Sequence, residues 1–113
     1  MSSIIISQGQ FDAFEEMIWT NLKVKIDNFY QSSVQKTKLM PEGQRKALAN
    51  ASVEEARAMG LKTDRSVFQY SHLNALTGAM LAQAPGLRAA LHMSGNPDRT
   101  MDAFYDMVLA ELP

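Results

Sequence analysis

The sequence predicts an all-α fold, a single compact bundle of about four to five helices that spans residues 1–113. Apolar side chains recur at steps of three and four in several windows, as one face of a helix requires. The segment Glu54–Phe68 combines a helix end with a new helix start. Support for strands is weak, because the β-branched run Ile4–Ile6 is short and has no obvious partner.

The residues of this segment predict a helical hairpin. Gly60 can adopt the left-handed backbone conformation that closes a helix, and Leu61 can then fold back on Ala56. Thr63 or Asp64 can cap the next helix by accepting a hydrogen bond from its free amide groups.

The first helix is predicted to run from Ser7 to about Ser32. Ser7 and Gln10 have the spacing of a capping box, in which two side chains satisfy free amide groups at a helix start. One apolar face then extends over about five turns. It consists of Phe11, Phe14, Ile18, Leu22, Ile26 and Phe29. The polar segment 33–40 that follows is interpreted as a connection.

The second predicted helix begins with Pro41 at its first position, where the missing amide hydrogen does no harm. The third spans roughly Asp64 to Gln83 and is apolar on most sides, which predicts a central position in the bundle. Pro85 ends it. A short helix over Leu87–Met93 follows, and the last helix begins at Asn96–Asp98 with a cap, a fixed backbone angle and an acidic group.

The composition excludes several classes of protein. Eleven Lys and Arg face twelve Asp and Glu, giving a net charge of -1. This balance argues against a nucleic-acid binder, which needs a basic face, and against an electrostatic membrane anchor. The absence of cysteine excludes disulfides and thiolate metal sites. Neither a signal peptide nor a membrane span is recognisable, so we expect a cytoplasmic location.

No catalytic, cofactor-binding or metal-binding constellation stands out in the sequence. His72 lies within the third predicted helix, where a hydrogen-bonded core or boundary histidine fits better than a catalytic base without placed partners. His92, near a helix end, suits a contact with the helix dipole. The acidic row Asp98, Asp102 and Asp106 is expected to be solvated, because Ca²⁺ needs more oxygen ligands around a loop. We therefore expect no enzyme, no cofactor and no metal.

Eight methionines are the most unusual feature of the composition. They can fill irregular gaps in a helical core, or line a binding surface that adapts to varied partners. Trp19 lies at the edge of the apolar stripe and would be an interface anchor if exposed, but a core residue if covered. Our candidates for contact with a partner are Trp19, Tyr70, Met80 and Met93.

Three short features of the sequence mark helix ends. The first is Ala56–Thr63, with the pattern Ala-Arg-x-x-Gly-Leu-Lys-Thr, the second is Gly78, and the third is Pro97–Tyr105. In these motifs the chain resembles a group of small bacterial proteins of poorly defined function, encoded beside spike and effector genes of type VI secretion systems. The resemblance covers roughly residues 10–112 in layout. It includes one inserted lysine, Lys62, and it is lost after Gly78, where AMLAQAPG replaces a longer loop.

The resemblance implies an accessory role, as an adaptor or co-chaperone that helps to load an effector onto its spike. An immunity-type protein that neutralises a cognate toxin is the alternative, although such proteins often carry a concentrated charge that this chain lacks. The partner that the resemblance implies is an effector, a chaperone or a toxin, whereas the residues themselves indicate only a small helical interaction module. A homodimer is compatible with the apolar third helix. A small enzyme that uses His72 would need a second titratable group beside its ring.

Overall fold

The computed structural model describes residues 8–111, which form six α-helices and one 3-10 turn and contain no strand. The helices are α1 Gln8–Ser33, α2 Gln35–Lys38, α3 Glu42–Ala58, α4 Asp64–Leu76, α5 Pro85–Met93 and α6 Pro97–Glu111, with the 3-10 turn at Leu81–Gln83. The all-α prediction is confirmed, with six helices rather than four to five. The predicted capping box at Ser7 and the run Ile4–Ile6 lie outside the described residues.

The additional helix is α2, which occupies the segment predicted to be a connection. Val34 interrupts the helical backbone in an extended conformation, and its carbonyl then accepts a hydrogen bond from the amide of Lys38 at 2.8 Å. Val34 and Thr37 are both buried, and Thr37 donates from its hydroxyl to the carbonyl of Tyr30 at 2.9 Å. Two buried side chains three positions apart therefore hold a short helix in an otherwise polar segment.

The predicted hairpin between α3 and α4 is confirmed in detail. Gly60 has φ +87°, and the amide of Leu61 donates to the carbonyl of Ala56 at 3.1 Å. This bond spans the end of α3 and lets the buried Leu61 cover the last turn. Thr63 is the N-cap of α4 and accepts from the amide of Ser66 at 3.1 Å.

The predicted end of the third helix at Gln83 is wrong, because α4 ends at Leu76. Gly78 and Ala79 both have left-handed backbone angles, at φ +66° and +70°. The amide of Ala79 donates to the carbonyl of Asn74 at 2.8 Å, which closes the helix. Two successive left-handed residues cannot belong to a right-handed helix.

Two further helix starts differ from the predictions by a small margin. Pro41 is the N-cap of α3 and precedes its first residue, Glu42. α5 begins at Pro85 rather than Leu87, because a proline is well accommodated in the first turn of a helix.

α4 is the central helix, as its apolar composition predicts. It packs against α1, α2, α3 and α6, while α1 also packs along α3 and α5 rests on α6. The largest wholly buried side chains come from four of the helices, α1, α4, α5 and α6, and from the α3–α4 turn. They are Tyr30, Tyr70, Ile26, Leu61, Leu73, Leu91 and Met101.

A directional chain of hydrogen bonds runs through the core and joins α1, α3 and α4. The Tyr30 hydroxyl donates to the carbonyl of Ser71 at 2.6 Å, so its single proton is used there and it accepts from Ser52 Oγ at 2.9 Å. Ser52 in turn accepts from Asn74 Nδ2 at 2.9 Å, and Asn74 Oδ1 accepts from the amide of Leu81 at 3.2 Å. Desolvation raises the pKa of Tyr30 to about 12, so this hydroxyl stays protonated.

Asp98, in the first turn of α6, binds the start of α4. Its Oδ1 accepts from the backbone amides of Lys62 at 2.8 Å and Thr63 at 3.2 Å, and from the hydroxyl of Ser66. Burial alone would raise the pKa of Asp98, but these hydrogen bonds outweigh it and the pKa lies below its ordinary value.

Asp102, one turn further on, continues this contact between α6 and α4. Its Oδ1 accepts from Gln69 Nε2 at 2.6 Å and lies 3.0 Å from Arg65 Nη2. The prediction of a solvated acidic row is therefore wrong for Asp98, whereas the side chain of Asp102 is 40% exposed and also serves as an inter-helix acceptor. The sequence could not reveal this, because the donors lie more than thirty positions away in the chain.

We predict that Tyr30→Phe lowers the free energy of unfolding by about 1–3 kcal/mol, because it leaves buried groups of Ser52 and Ser71 without their partner. Tyr105→Phe is the matched control, since the Tyr105 hydroxyl is only partly buried and water can replace it. Urea unfolding of both variants measures the difference. Equal losses would contradict a special role for Tyr30.

We also predict that Asp98 makes stability dependent on pH. Because its folded-state pKa is depressed, its contribution is present above the ordinary carboxyl pKa and is lost as the pH falls through the lower folded-state value. Asp98→Asn should cost about 1 kcal/mol at neutral pH and flatten the acid limb of the stability curve. Asp106→Asn, on the exposed side of α6, should change neither the stability at neutral pH nor the acid limb of the curve. Parallel pH curves for wild type and Asp98→Asn would refute the assignment.

Candidate protein-binding groove

A largely apolar groove of about 480 Å³ lies between the first half of α1 and the turn that joins α3 to α4. We call it the α1 groove. Its lining residues are Glu15, Ile18, Trp19, Leu22, Arg57, Gly60, Leu61 and Lys62. Apolar side chains form most of the surface, and three charged side chains stand among them.

The groove exists because α1 is longer than the helix that it packs against. α1 has 26 residues and is therefore about 39 Å long, whereas α3 has 17 residues. The two run antiparallel, with Asp27 paired to Arg45 at 2.8 Å and Glu16 paired to Arg57 at 2.7 Å. Since Arg57 belongs to the last turn of α3, the turns of α1 before Glu16 project beyond it.

The first half of α1 carries large apolar side chains at its surface. Phe14 is 59% exposed, Met17 51% and Ile18 44%. Phe14 and Ile18 are four residues apart and so lie on the same face, beside the groove. Both belong to the predicted apolar face, but the row of α1 side chains that packs into the core is a different one. It consists of Trp19, Leu22, Ile26 and Tyr30.

Trp19 forms one wall of the groove and is 7% exposed. The guanidinium carbon of Arg57 lies 5.0 Å from the centre of its ring, which is cation–π geometry. The same guanidinium binds Glu16 at 2.7 Å and lies 3.9 Å from Glu15. Its hydrogen bond to Glu16 holds the pKa of that carboxyl below the ordinary value.

Arg57 therefore connects an aromatic wall to two carboxylates at the edge of the groove. Ion pairs between partly exposed side chains contribute little to stability and can exchange partners. An apolar floor with exchangeable charges at its rim is the arrangement that protein interfaces use, with aromatic and arginine side chains as anchors.

The four partner-contact candidates do not form one surface. Trp19 lines the groove, whereas Tyr70 is wholly buried and donates its hydroxyl to Glu55 Oε1 at 2.8 Å. Tyr70 is thus a core residue with no surface to offer a partner. Met80 is 53% exposed after the end of α4, and Met93 is 85% exposed at the end of α5.

Reasoning from the sequence missed the exposed positions of Phe14, Ile18 and Leu39. Leu39 is 80% exposed and lies in the segment interpreted as a polar connection. The available signal was an apolar pair, Leu39 and Met40, directly before a proline. For Phe14 and Ile18 there was no such signal, because their spacing fits a buried face equally well.

His72 contacts a phenol and an aromatic ring. Its Nδ1 lies 2.7 Å from the hydroxyl oxygen of Tyr105, and its ring meets Phe29 edge-on with 5.4 Å between the ring centres. Burial lowers the pKa of His72 and favours the neutral ring. These contacts are those of a boundary histidine that joins α1, α4 and α6.

Within residues 8–111, no three His, Asp or Glu side chains are grouped so that they could hold a metal ion. Over the same range, no helix combines the length and the apolar character needed to cross a membrane. No family model, curated protein or solved structure matches the chain.

We predict that Arg57→Ala shifts the emission of Trp19 to longer wavelength, because the ring loses its cover and gains contact with water. Trp19 is the sole tryptophan of the sequence, so the emission reports on the groove alone. Lys23→Ala is the control, since Lys23 pairs with Glu54 across the same two helices at 2.6 Å. Unchanged emission in Arg57→Ala, or an equal shift in the control, would contradict the contact.

Proposed function

We propose that the chain is a non-enzymatic protein-binding accessory factor, an adaptor or co-chaperone that assists the loading of a type VI secretion effector in the cytoplasm. The observation that carries protein binding is the pair of exposed side chains Phe14 and Ile18 beside the α1 groove. The link to a secretion system rests on the resemblance in the helix-end motifs, and the proposed binding surface rests on the groove.

Energetics favour a partner at this surface. Removing one large apolar side chain from water stabilises a complex by about 1.5–3 kcal/mol at full burial. Phe14 and Ile18 lie on one face with the groove directly beside them, so a single partner segment can cover both side chains and the groove. Scattered exposed apolar residues need no explanation, but a contiguous group next to a groove is typical of an interaction site.

The preformed walls of the groove also favour binding. Trp19 is fixed by its contacts with the core and with Arg57, so little side-chain freedom remains to be lost when a partner docks. Lys62 and Glu15 both line the groove and carry opposite charges, so they can orient the partner. The balanced charge favours an apolar contact over the highly charged contact expected of many immunity proteins.

The proposal predicts that Phe14→Ser combined with Ile18→Ser abolishes capture of the effector or its chaperone from the native host. Losing two buried apolar contacts should weaken binding by more than about tenfold. Val24→Ser is the matched control, because Val24 is 55% exposed on the same helix and outside the groove. Affinity capture with protein identification measures retention, and circular dichroism verifies that each variant is folded.

Secretion and toxicity assays then separate the two roles. Deleting the chain should reduce secretion of the effector without poisoning the producing cell, and Phe14→Ser with Ile18→Ser should reproduce this effect. Rescue of a cell from a neighbouring toxin by this chain alone would support the immunity alternative instead. Recovery of the chain without any stoichiometric protein would refute both.

A further inference from the structure

A second apolar surface lies where α2 meets the end of α4, and its function is not explained by the α1 groove. A cavity of about 220 Å³ is lined by Lys36, Thr37, Met40, Leu48, Ala75, Gly78 and Ala79. The neighbours of Met40 and Ala79 in the chain, Leu39 and Met80, are 80% and 53% exposed. We call the cavity together with these two side chains the α2–α4 patch.

The backbone around Met80 is fixed even though its side chain is exposed. Ala79 holds a left-handed conformation at φ +70°, which is unfavourable for a residue with a side chain and must be held by the surrounding structure. Its amide is bound to the carbonyl of Asn74, and the amide of Leu81 is bound to the Asn74 side chain. Asn74 is wholly buried, so Met80 stands between two residues that are tied to the core.

Apart from Leu48 of α3, the α2–α4 patch is built from two stretches of sequence that contain no acidic residue. None occurs between Asp27 and Glu42, and none between Asp64 and Asp98. The first stretch carries Lys36 and Lys38 on α2. The Lys36 ammonium donates to the carbonyl of Leu76 at 3.1 Å, which places a positive charge at the edge of the cavity.

We propose that the α2–α4 patch binds an acidic amphipathic helix of a partner protein. The cavity has room for an apolar anchor, while Leu39 and Met80 can pack on either side of it. Flexible thioether groups at positions 40 and 80 adapt to the shape of such a helix. Carboxylates on the partner would meet the lysines of α2, with no acidic group from the two stretches to repel them.

The charge pattern favours a different protein over a second copy of this chain. The start of α1 also combines apolar side chains with Glu15 and Glu16, but these carboxylates would have to give up their pairs with Arg57 to meet the lysines of a second copy. The α2–α4 patch and the α1 groove share no lining residue, so the inference does not depend on what occupies the groove. Two separate surfaces would allow the chain to hold two proteins at once.

The test uses two synthetic helical peptides of about 18 residues with the same apolar face of leucine and methionine. One carries glutamate and the other lysine on its polar face, and fluorescence anisotropy gives the dissociation constants. The glutamate peptide should bind at least about tenfold more tightly, and added salt should reduce the difference. Lys38→Glu and Met80→Ser should each weaken its binding by about tenfold.

Two variants outside the α2–α4 patch serve as controls. Lys62→Glu makes the same charge change at the α1 groove, and Met107→Ser removes a methionine that is 57% exposed on α6. Both should leave binding within about twofold of wild type. Phe14→Ser with Ile18→Ser should also leave it intact, so failure at the α1 groove and failure here are distinguishable.

Several outcomes would overturn the inference. These are no binding of the glutamate peptide, equal binding of the lysine peptide, or equal losses in the controls. Sedimentation that shows a dimer dissociated by Met80→Ser would assign the surface to a second copy. Tighter binding to phosphatidylserine vesicles than to the glutamate peptide, lost in Lys38→Glu, would assign it to a membrane surface.

Discussion

The hydroxyl of Tyr30 is the point on which the arrangement of the helices depends. It occupies a fully buried site where α1, α3 and α4 meet, and its bonds to Ser52 and to the Ser71 carbonyl fix both the rotation and the height of α1. A purely apolar contact would tolerate a small rotation or slide, whereas a chain of directed hydrogen bonds tolerates neither. With α1 fixed there, the shorter α3 leaves the other end of α1 uncovered, and the α1 groove is the result.

The parts of the fold that the sequence predicts correctly are those determined within a few residues. The Gly60 turn and the Thr63 cap follow from backbone conformation and from one hydrogen bond to a near neighbour. The end of α4 is equally local: the resemblance implies a helix end near Gly78, but the apolar pattern carried the predicted helix on to Gln83, because Ala79, which is not a glycine, shares the left-handed turn with Gly78. Helix bounds that rely on an unusual conformation of an ordinary residue leave little trace in the sequence.

The candidate surfaces were harder to predict, because the exposure of a side chain depends on which other element covers it and not on its own segment. Phe14 and Ile18 have the spacing of a buried row, and only the length of α3 leaves them uncovered. Asp98 shows the reverse case, since a residue with the pattern of a solvated face is bound by amides from a distant turn. The position of Trp19 at the edge of the predicted stripe left its exposure open, and the structure places it in the core, 7% exposed, with one side lining the groove.

The exposed first half of α1 affects how binding at the α1 groove would be regulated. Every residue from Asp12 to Ile18 is exposed, so this stretch buries little apolar surface, and Glu15 and Glu16 hold it to α3 by their pairs with Arg57. Such a stretch frays easily in isolation, and a partner that docks on it must supply the ordering energy of the backbone. For the partner proposed at the α1 groove, helix-favouring or helix-disfavouring changes at positions such as Ala13, about 140° around the helix from Ile18, would therefore change the affinity without a direct contact.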